Sequence, residues 1–531
     1  MDALVHRCIS YTSDYVWPGL GLFGESYLLF SIGTLQPIWK ILFSDCFEGS
    51  TCPPRLLQSL TYSVVVGIMT GMIVIGSLPI GRRPGSLLTA SLMAFGACGM
   101  TLVTWMRHTR TMFQCFAVLL FIFGLGVGGE YPMAAASATE KASSHHEAYK
   151  AMGEAEPRGQ RIQLVFSMQG AGILANAILM TVMLLLLGQN GGYEINSLLL
   201  VWRVVYAVGA VLLLFVLATR YLFLRESTAW ETNQQETTTK TSISDILPNP
   251  SMSSVISNVS SLSAPSVVHA DIHLAPLELD DDDSSEWVIV WHFYGSRLVA
   301  SSLCWMLWDI AFYGNKLFQS TFLLALTGNN TTLVEFSGAV TLNAAVAYAG
   351  YITAAYLLDV VGRRSLQQYG LLVTGLLFVT CGFVQLPSWL LVTLYLTSSF
   401  VGQVGPNATT FCLPAEIFPT QLRTKCHGIA AASGKLGALV AALAFHFVKN
   451  DLHLFLFAGY SSLAACVLTH WYIPETNGLD LVELDEQWKY IRRGCVHDYH
   501  GAATSVQFLS HHEIRQRRRQ QSACHPMEFV D

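Results

Sequence analysis

Six ionisable residues fall inside long apolar stretches of this 531-residue chain: Glu25, Glu130, Asp309, Lys316, Glu416 and Lys435. A charge in such a setting is costly, so each needs a partner or a task. The run WMLWDIAFYGNK sets Trp305, Asp309 and Tyr313 at i, i+4 and i+8. That spacing stacks an indole, a carboxyl and a phenol on one helix face, where they can offer hydrogen bonds to a cavity. An aromatic belt at a membrane surface would account for Trp or Tyr alone, but not for the Asp between them. Lys435, in AASGKLGA, has no acid within one helical turn. Its ammonium therefore needs a carboxylate from another helix or a bound anion. Glu416 and Lys316 lie near helix ends, where capping or snorkelling suffices. The chemistry on offer is anion binding with proton exchange. The sequence has no Walker loop, metal-ligand cluster or nucleophile triad, so we expect neither enzyme activity, nor a metal, nor a cofactor.

The elements that must hold these residues are membrane helices. Hydrophobic residues make up 52% of the chain and charged residues only 12%, about half the share in soluble proteins. Mean hydropathy is +0.43. This excludes a disordered chain, a nucleic-acid binder and an ordinary cytosolic enzyme, and the net charge of -6 argues for no polyanionic partner. Twelve cysteines, most of them single within apolar runs, are no disulfide framework. Twelve stretches long enough to span a bilayer core of about 30 Å centre near residues 30, 69, 96, 122, 175, 210, 308, 346, 376, 400, 437 and 462. No cleavable signal pattern precedes the first of them.

Residues 226–287 differ: TTTKTS, SMSSVISNVSSLSAPS and LELDDDDSSE are Ser/Thr-rich and acidic, the composition of a disordered linker. The expected organisation is a six-helix bundle over 1–225, that linker, a second six-helix bundle over 288–474 and a tail over 475–531. The halves echo each other. GRRPGS at Gly81 and GRRSLQ at Gly362 follow the second and eighth spans, GGEYP and GPNAT open the fourth and tenth, and QGAG and GKLG lie in the fifth and eleventh. A repeat in this order predicts an all-α membrane protein of two pseudo-symmetric bundles meeting at a central site. The glycines of GLGVGGEYP allow close approach to a neighbouring helix or a ligand.

Arg and Lys in short loops favour the ends after even-numbered spans, so both termini and the linker are expected in the cytoplasm, although MRHTR opposes this. Arg82, Arg83, Arg363 and Arg364 should latch that end. Cys46 and Cys52 then lie outside, with a disulfide and two free thiols both open, as does the sequon at Asn330. The matching patterns at Asn258 and Asn407 should stay unmodified. The tail run Arg515 to Arg519 fits either anionic lipid or plain solvent.

DIAFYGNK, GGEYPM, MQGAG, PETNGL and the long GPNATTFCLPAEIFPTQLRTKCHGIAAASGKLGA resemble the inorganic phosphate:proton symporters of the major facilitator superfamily, in order and across both halves. The resemblance implies a phosphate site of Tyr131, Gln169, Trp305, Asp309, Tyr313 and Asn407, with Lys435 pairing to Asp309. It implies proton movement through Glu25, Glu130 and Asp309, and a cytoplasmic gate of Arg82, Arg83, Asp359, Arg363 and Arg364. This chain departs from the family in having Glu for Asp at Glu25 and Glu130 and Leu28 where a second acid is expected. Its first GRR loop also lacks the acid that the second keeps as Asp359.

The function implied is proton-coupled phosphate import by alternating access at the plasma membrane, with no nucleic-acid partner. Proton binding should favour anion binding, and the coupling must be reciprocal. Two rivals stand beside it. One is a carrier of organic phosphates such as glycerophosphodiesters, or of another organic anion; the other is a phosphate sensor signalling through linker and tail.

Overall fold

The computed structural model describes residues 17–47, 51–78, 80–143, 157–188, 193–226, 283–317, 332–383, 386–447 and 451–524. Among them every regular element is helical. In the first half, α1 (Trp17–Leu29) and α2 (Ser31–Leu42) form one crossing, followed by α3 (Pro54–Ser77), α4 (Arg82–Val103), α5 (Thr109–Ser143), α6 (Arg158–Leu187) and α7 (Ile195–Phe223). The second half holds α8 (Asp283–Leu317), α9 (Leu333–Val361) and α10 (Arg363–Phe383). Its tenth crossing is α11 (Ser388–Gly402), a π-turn over Gln403–Asn407 and α12 (Ala408–Glu416); α13 (Thr420–Phe447) and α14 (Asp451–Tyr472) complete it. Beyond the last crossing, α15 (Leu481–Arg492) and α16 (His511–Cys524) fold back as ordered helices.

Eight of these helices are by themselves long and apolar enough to cross a membrane. Three of the other four expected crossings depart from that standard for local reasons. The first is divided at Phe30 and carries Pro37 in its second piece. α3 is a 24-residue helix, Pro54–Ser77, and Tyr62–Ser77 within it is apolar. In α8 the apolar run is diluted by Arg297, Asp309 and Tyr313. In the tenth, Pro406 removes a backbone donor and the π-turn absorbs the mismatch, a device common at functional sites.

The glycines of the fourth span serve helix packing. A Cβ at Gly128 would sit on the Ile68 carbonyl oxygen, and Gly124 meets Gly67 in the same α3–α5 seam. Two seams join the halves, α6 on α9 and α3 on α13. In the first, Thr181 bonds Ser337 at 2.7 Å and Thr341 at 2.9 Å.

Cys46 and Cys52 form a disulfide, resolving the choice the sequence left open. One boundary differs from that expected, since α8 begins at Asp283, inside the linker stretch; the tail over 475–531 contains α15 and α16. The linker over 227–282, Lys150, Lys449, Asn258 and Asn330 lie outside the described residues, as does the side chain of Lys316.

Candidate functional site

Where the bundles face each other, α8 and α13 bring three of the expected residues together. Lys435 Nζ donates to Asp309 Oδ2 at 3.1 Å and to the Tyr313 hydroxyl at 3.2 Å. The carboxylate that Lys435 lacked on its own helix thus comes from α8, and both charges are buried. The ammonium also lies 5.0 Å from the Tyr313 ring centre and 5.6 Å from that of Tyr131, within range of cation–π attraction. Trp305 is buried one turn away. It packs on Gly434, where a Cβ would strike the indole, and meets the His427 ring edge-on at 5.5 Å.

A chain of amides and phenols crosses from one half to the other beside this pair. Gln169 donates to the Tyr131 hydroxyl within the first half. The Tyr351 hydroxyl, on α9, donates to Gln169 Oε1 at 2.9 Å. Asn407 then donates to Tyr351 at 2.9 Å and to Gln403 at 2.6 Å. The π-turn sets Gln403 and Asn407 on one side of the broken helix, which makes this last link possible. All five residues are buried. The arrangement concentrates rotatable donors around one ammonium–carboxylate pair, which suits a small tetrahedral oxyanion.

The two glutamates differ from each other. Glu25 is wholly buried, and neither of its carboxyl oxygens has a hydrogen-bond partner. Glu130 is gripped by Arg220 of α7 through both terminal guanidinium nitrogens, at 2.7 Å for Nη1, and accepts from Thr89 at 2.9 Å. Gly21 leaves room for that pair, since a Cβ there would strike it.

Below the site, Phe166 and Phe411 stack at 4.2 Å, and the arginine-rich end closes beneath them. Glu416, read from sequence as a helix-end group, is indeed the last residue of α12 but is fully buried between arginines. Arg363 of its own half reaches it at 3.0 Å and Arg158 of the other half at 2.7 Å. Glu140 mirrors this, with Arg82 of its own half at 2.6 Å and Arg423 of the other at 3.5 Å. Asp359 accepts the backbone N–H groups of Gly159 and Gln160 at the start of α6, again across the halves. Arg83 is exposed and engages Glu226 only through its backbone, while Arg364 donates to the His470 carbonyl within its own half. Of the five expected gate residues, Arg82, Asp359 and Arg363 bond within these latches.

Sequence reasoning missed Tyr351, Gln403, His427, Arg220 and Glu140, and counted Arg158 and Arg423 as loop charges. Glu140 carried a signal: it ends the fourth span as Glu416 ends the tenth.

A family profile described as "Sugar (and other) transporter" matches residues 20–488. A putative inorganic phosphate transporter of Schizosaccharomyces pombe is 28% identical over 88% of this chain and 86% of its own length. A probable inorganic phosphate transporter of Arabidopsis thaliana is also 28% identical, over 88% and 92%. Among solved structures, a proton:xylose symporter superposes with a TM-score of 0.64 at 17% identity, covering 89% of this chain and 98% of that one. The Escherichia coli fucose:proton symporter gives 0.57 at 13%, covering 85% and 96%. These likenesses establish the major facilitator fold: twelve membrane helices in two pseudo-symmetric bundles.

Proposed function

The chain belongs to the sugar (and other) transporter family, and from that premise we propose that it imports inorganic phosphate with protons across the plasma membrane by alternating access. The observation that carries this reading is the buried Lys435–Asp309 pair, with Tyr313 on it and the Tyr131–Gln169–Tyr351–Asn407 chain beside it. The relatives named as inorganic phosphate transporters support the choice of anion.

The binding argument is one of exchange. An arriving phosphate competes with Asp309 for the ammonium, and donors from Tyr131, Gln169, Tyr313 and Asn407 complete its shell. Near neutral pH phosphate keeps an O–H that can donate to an ionised Asp309. Sulfate has none, so it would leave a buried acceptor unpaired and should be rejected, whereas arsenate should compete. A proton on a nearby carboxyl removes repulsion and supplies a donor, so proton and anion favour each other's binding. Glu25 suits the carrier role because an unpaired buried carboxyl is tolerated best in its neutral form. Glu130, tied to Arg220, is the fixed counterpart.

The latches at Glu140 and Glu416 are the cytoplasmic gate in this reading, with Arg82, Arg158, Arg363 and Arg423 holding it and Asp359 capping α6. Opening inward parts Arg158 from Glu416 and Arg423 from Glu140.

The test is radiolabelled phosphate uptake into proteoliposomes under an inward proton gradient, with and without a protonophore, against arsenate, sulfate and glycerophosphate. We expect gradient-driven uptake blocked by arsenate alone. Competition by glycerophosphate would move the substrate to organic esters, and binding without uptake would point to a sensor.

A further inference from the structure

We propose that α16 docks on anionic lipid headgroups at the arginine-rich end of the second half, with residues 287–292 of α8 anchoring the same end at the membrane surface. Two independent features at that end point to it. The first is the helix HHEIRQRRRQQSAC, whose Arg515, Arg517, Arg518 and Arg519 are all exposed. This helix is fastened in place. Glu513 accepts from Arg297 Nε of α8 at 2.7 Å and from the Ser510 backbone N–H at 2.7 Å, and Arg297 is buried. The His511 ring lies 4.8 Å from that of His470, and the His512 ring 4.9 Å from that of Tyr472. The start of α16 is therefore held at the last turn of α14, where the chain leaves the membrane and Trp471 stands exposed.

The second feature is on α8. Its 35 residues make about 50 Å of helix, well beyond a bilayer core of about 30 Å. The surplus at its start turns Trp287, Val288, Trp291 and His292 outward, a stripe at helical spacing, with Trp291 65% exposed. Two outward tryptophans are poorly placed in water and well placed among headgroups, where an indole's apolar body and polar N–H are both satisfied. The face of α8 away from this stripe carries Arg297, the clamp that fixes α16. Interfacial aromatics and a basic helix are the two signals that together give stable association with a charged membrane. The partner that matches both is a bilayer leaflet bearing anionic lipid. The inference requires only that the chain sits in a bilayer; it is independent of substrate and of transport direction.

The experiment compares amide hydrogen exchange of residues 511–519 in the full-length protein, held in nanodiscs of phosphatidylcholine alone or mixed with phosphatidylserine. With phosphatidylserine, exchange should slow at least about fivefold, the factor for one arginine near an anionic surface. High salt should reverse it by screening. The combined Arg515→Gln, Arg517→Gln, Arg518→Gln and Arg519→Gln variant should lose the difference between the two bilayers, and Trp287→Ser with Trp291→Ser should weaken it. Equal exchange of the wild-type protein in both bilayers overturns the proposal without need of any variant. Slowing by soluble inositol hexakisphosphate in the neutral bilayer, with none from phosphatidylserine, overturns it in favour of a soluble polyanion.

Discussion

Two buried ion pairs, one in each half, make opposite use of the same chemistry. In the first half Arg220 holds Glu130 with two nitrogens while Thr89 fills a further lone pair. In the second, Lys435 reaches Asp309 with one bond and shares its ammonium with Tyr313 and the faces of two rings. A guanidinium fork is planar and pre-organised, so a carboxylate it grips stays gripped. An ammonium on a four-carbon stem is a point charge that can turn from one anion to another. The difference separates a pair fixed in place from one whose ammonium can turn to a second anion, as the proposed phosphate site requires.

The sharpest way to break this comparison is at the second pair. We expect Asp309→Asn to cut phosphate uptake at least about a hundredfold, since removing one partner of a buried pair costs about 3–5 kcal/mol. Lys435→Arg should not restore function, because a fork cannot turn as an ammonium does. Uptake by Asp309→Asn at the wild-type rate and with the wild-type pH dependence would end the coupling argument.

At the first pair the loss should appear as stability instead. Arg220→Met strands Glu130 and should lower the thermal midpoint by an amount corresponding to about 3–5 kcal/mol. Pairing it with Glu130→Gln should recover most of that, as read by thermal unfolding in detergent. Full uptake by a folded Glu130→Gln, Arg220→Met protein would sharpen the distinction; loss of uptake with stability intact would erase it.

A smaller effect is expected at the bridge between the halves. Tyr351→Phe deletes the hydroxyl shared by Gln169 and Asn407 and should weaken phosphate about tenfold in competition assays, as for one buried hydrogen bond.

The smallest concerns a third pair, outside the membrane. Burial pushes the Glu513 carboxyl up, but Arg297 and the Ser510 donors outweigh it and hold the group below its usual range. A carboxyl depressed in the folded state stabilises docking above its unfolded value, about 4.3, and that contribution is lost as pH falls through the lower folded value. His511, held below the usual imidazole range by burial and by Arg364 and His470 beside it, gives up a first part of the docking as pH falls below about 6.5, while the Glu513 part should persist to about 4.5 and fall only in stronger acid, as read by exchange protection of α16.

The frame of the site was legible because membrane helices expose few polar groups, so Asp309 and Lys435 stood out against their runs and the spacing of Trp305 and Tyr313 fixed a face. Lys435's want of a partner on its own helix pointed to another helix, and α8 supplied it. Tyr351 was invisible because a tyrosine in an apolar run reads as packing until its hydroxyl is seen between two amides. Arg158 and Arg423 were misjudged for a different reason: at helix ends an arginine reads as a loop charge, and only the fold shows it turned inward; Arg220, in the last turn of α7, was passed over altogether. The ordered tail was missed because α15 and α16 are polar segments whose order comes from docking, through Trp488 and Glu513, rather than from their own pattern.

The latches at the arginine-rich end have a consequence for how the halves can move. Each carboxylate accepts one arginine from its own bundle and one from the other, so the contact made at Glu416 is made again at Glu140 with the roles exchanged. This is the logic of a two-fold dimer interface, written into a single chain. A rigid tilt that freed only one crossing arginine would strand a buried charge while the second latch still resisted it. In the proposed alternating-access cycle, partial openings would therefore be the least favourable geometries along the path, and this end would act as a toggle with two resting positions rather than as a hinge with many.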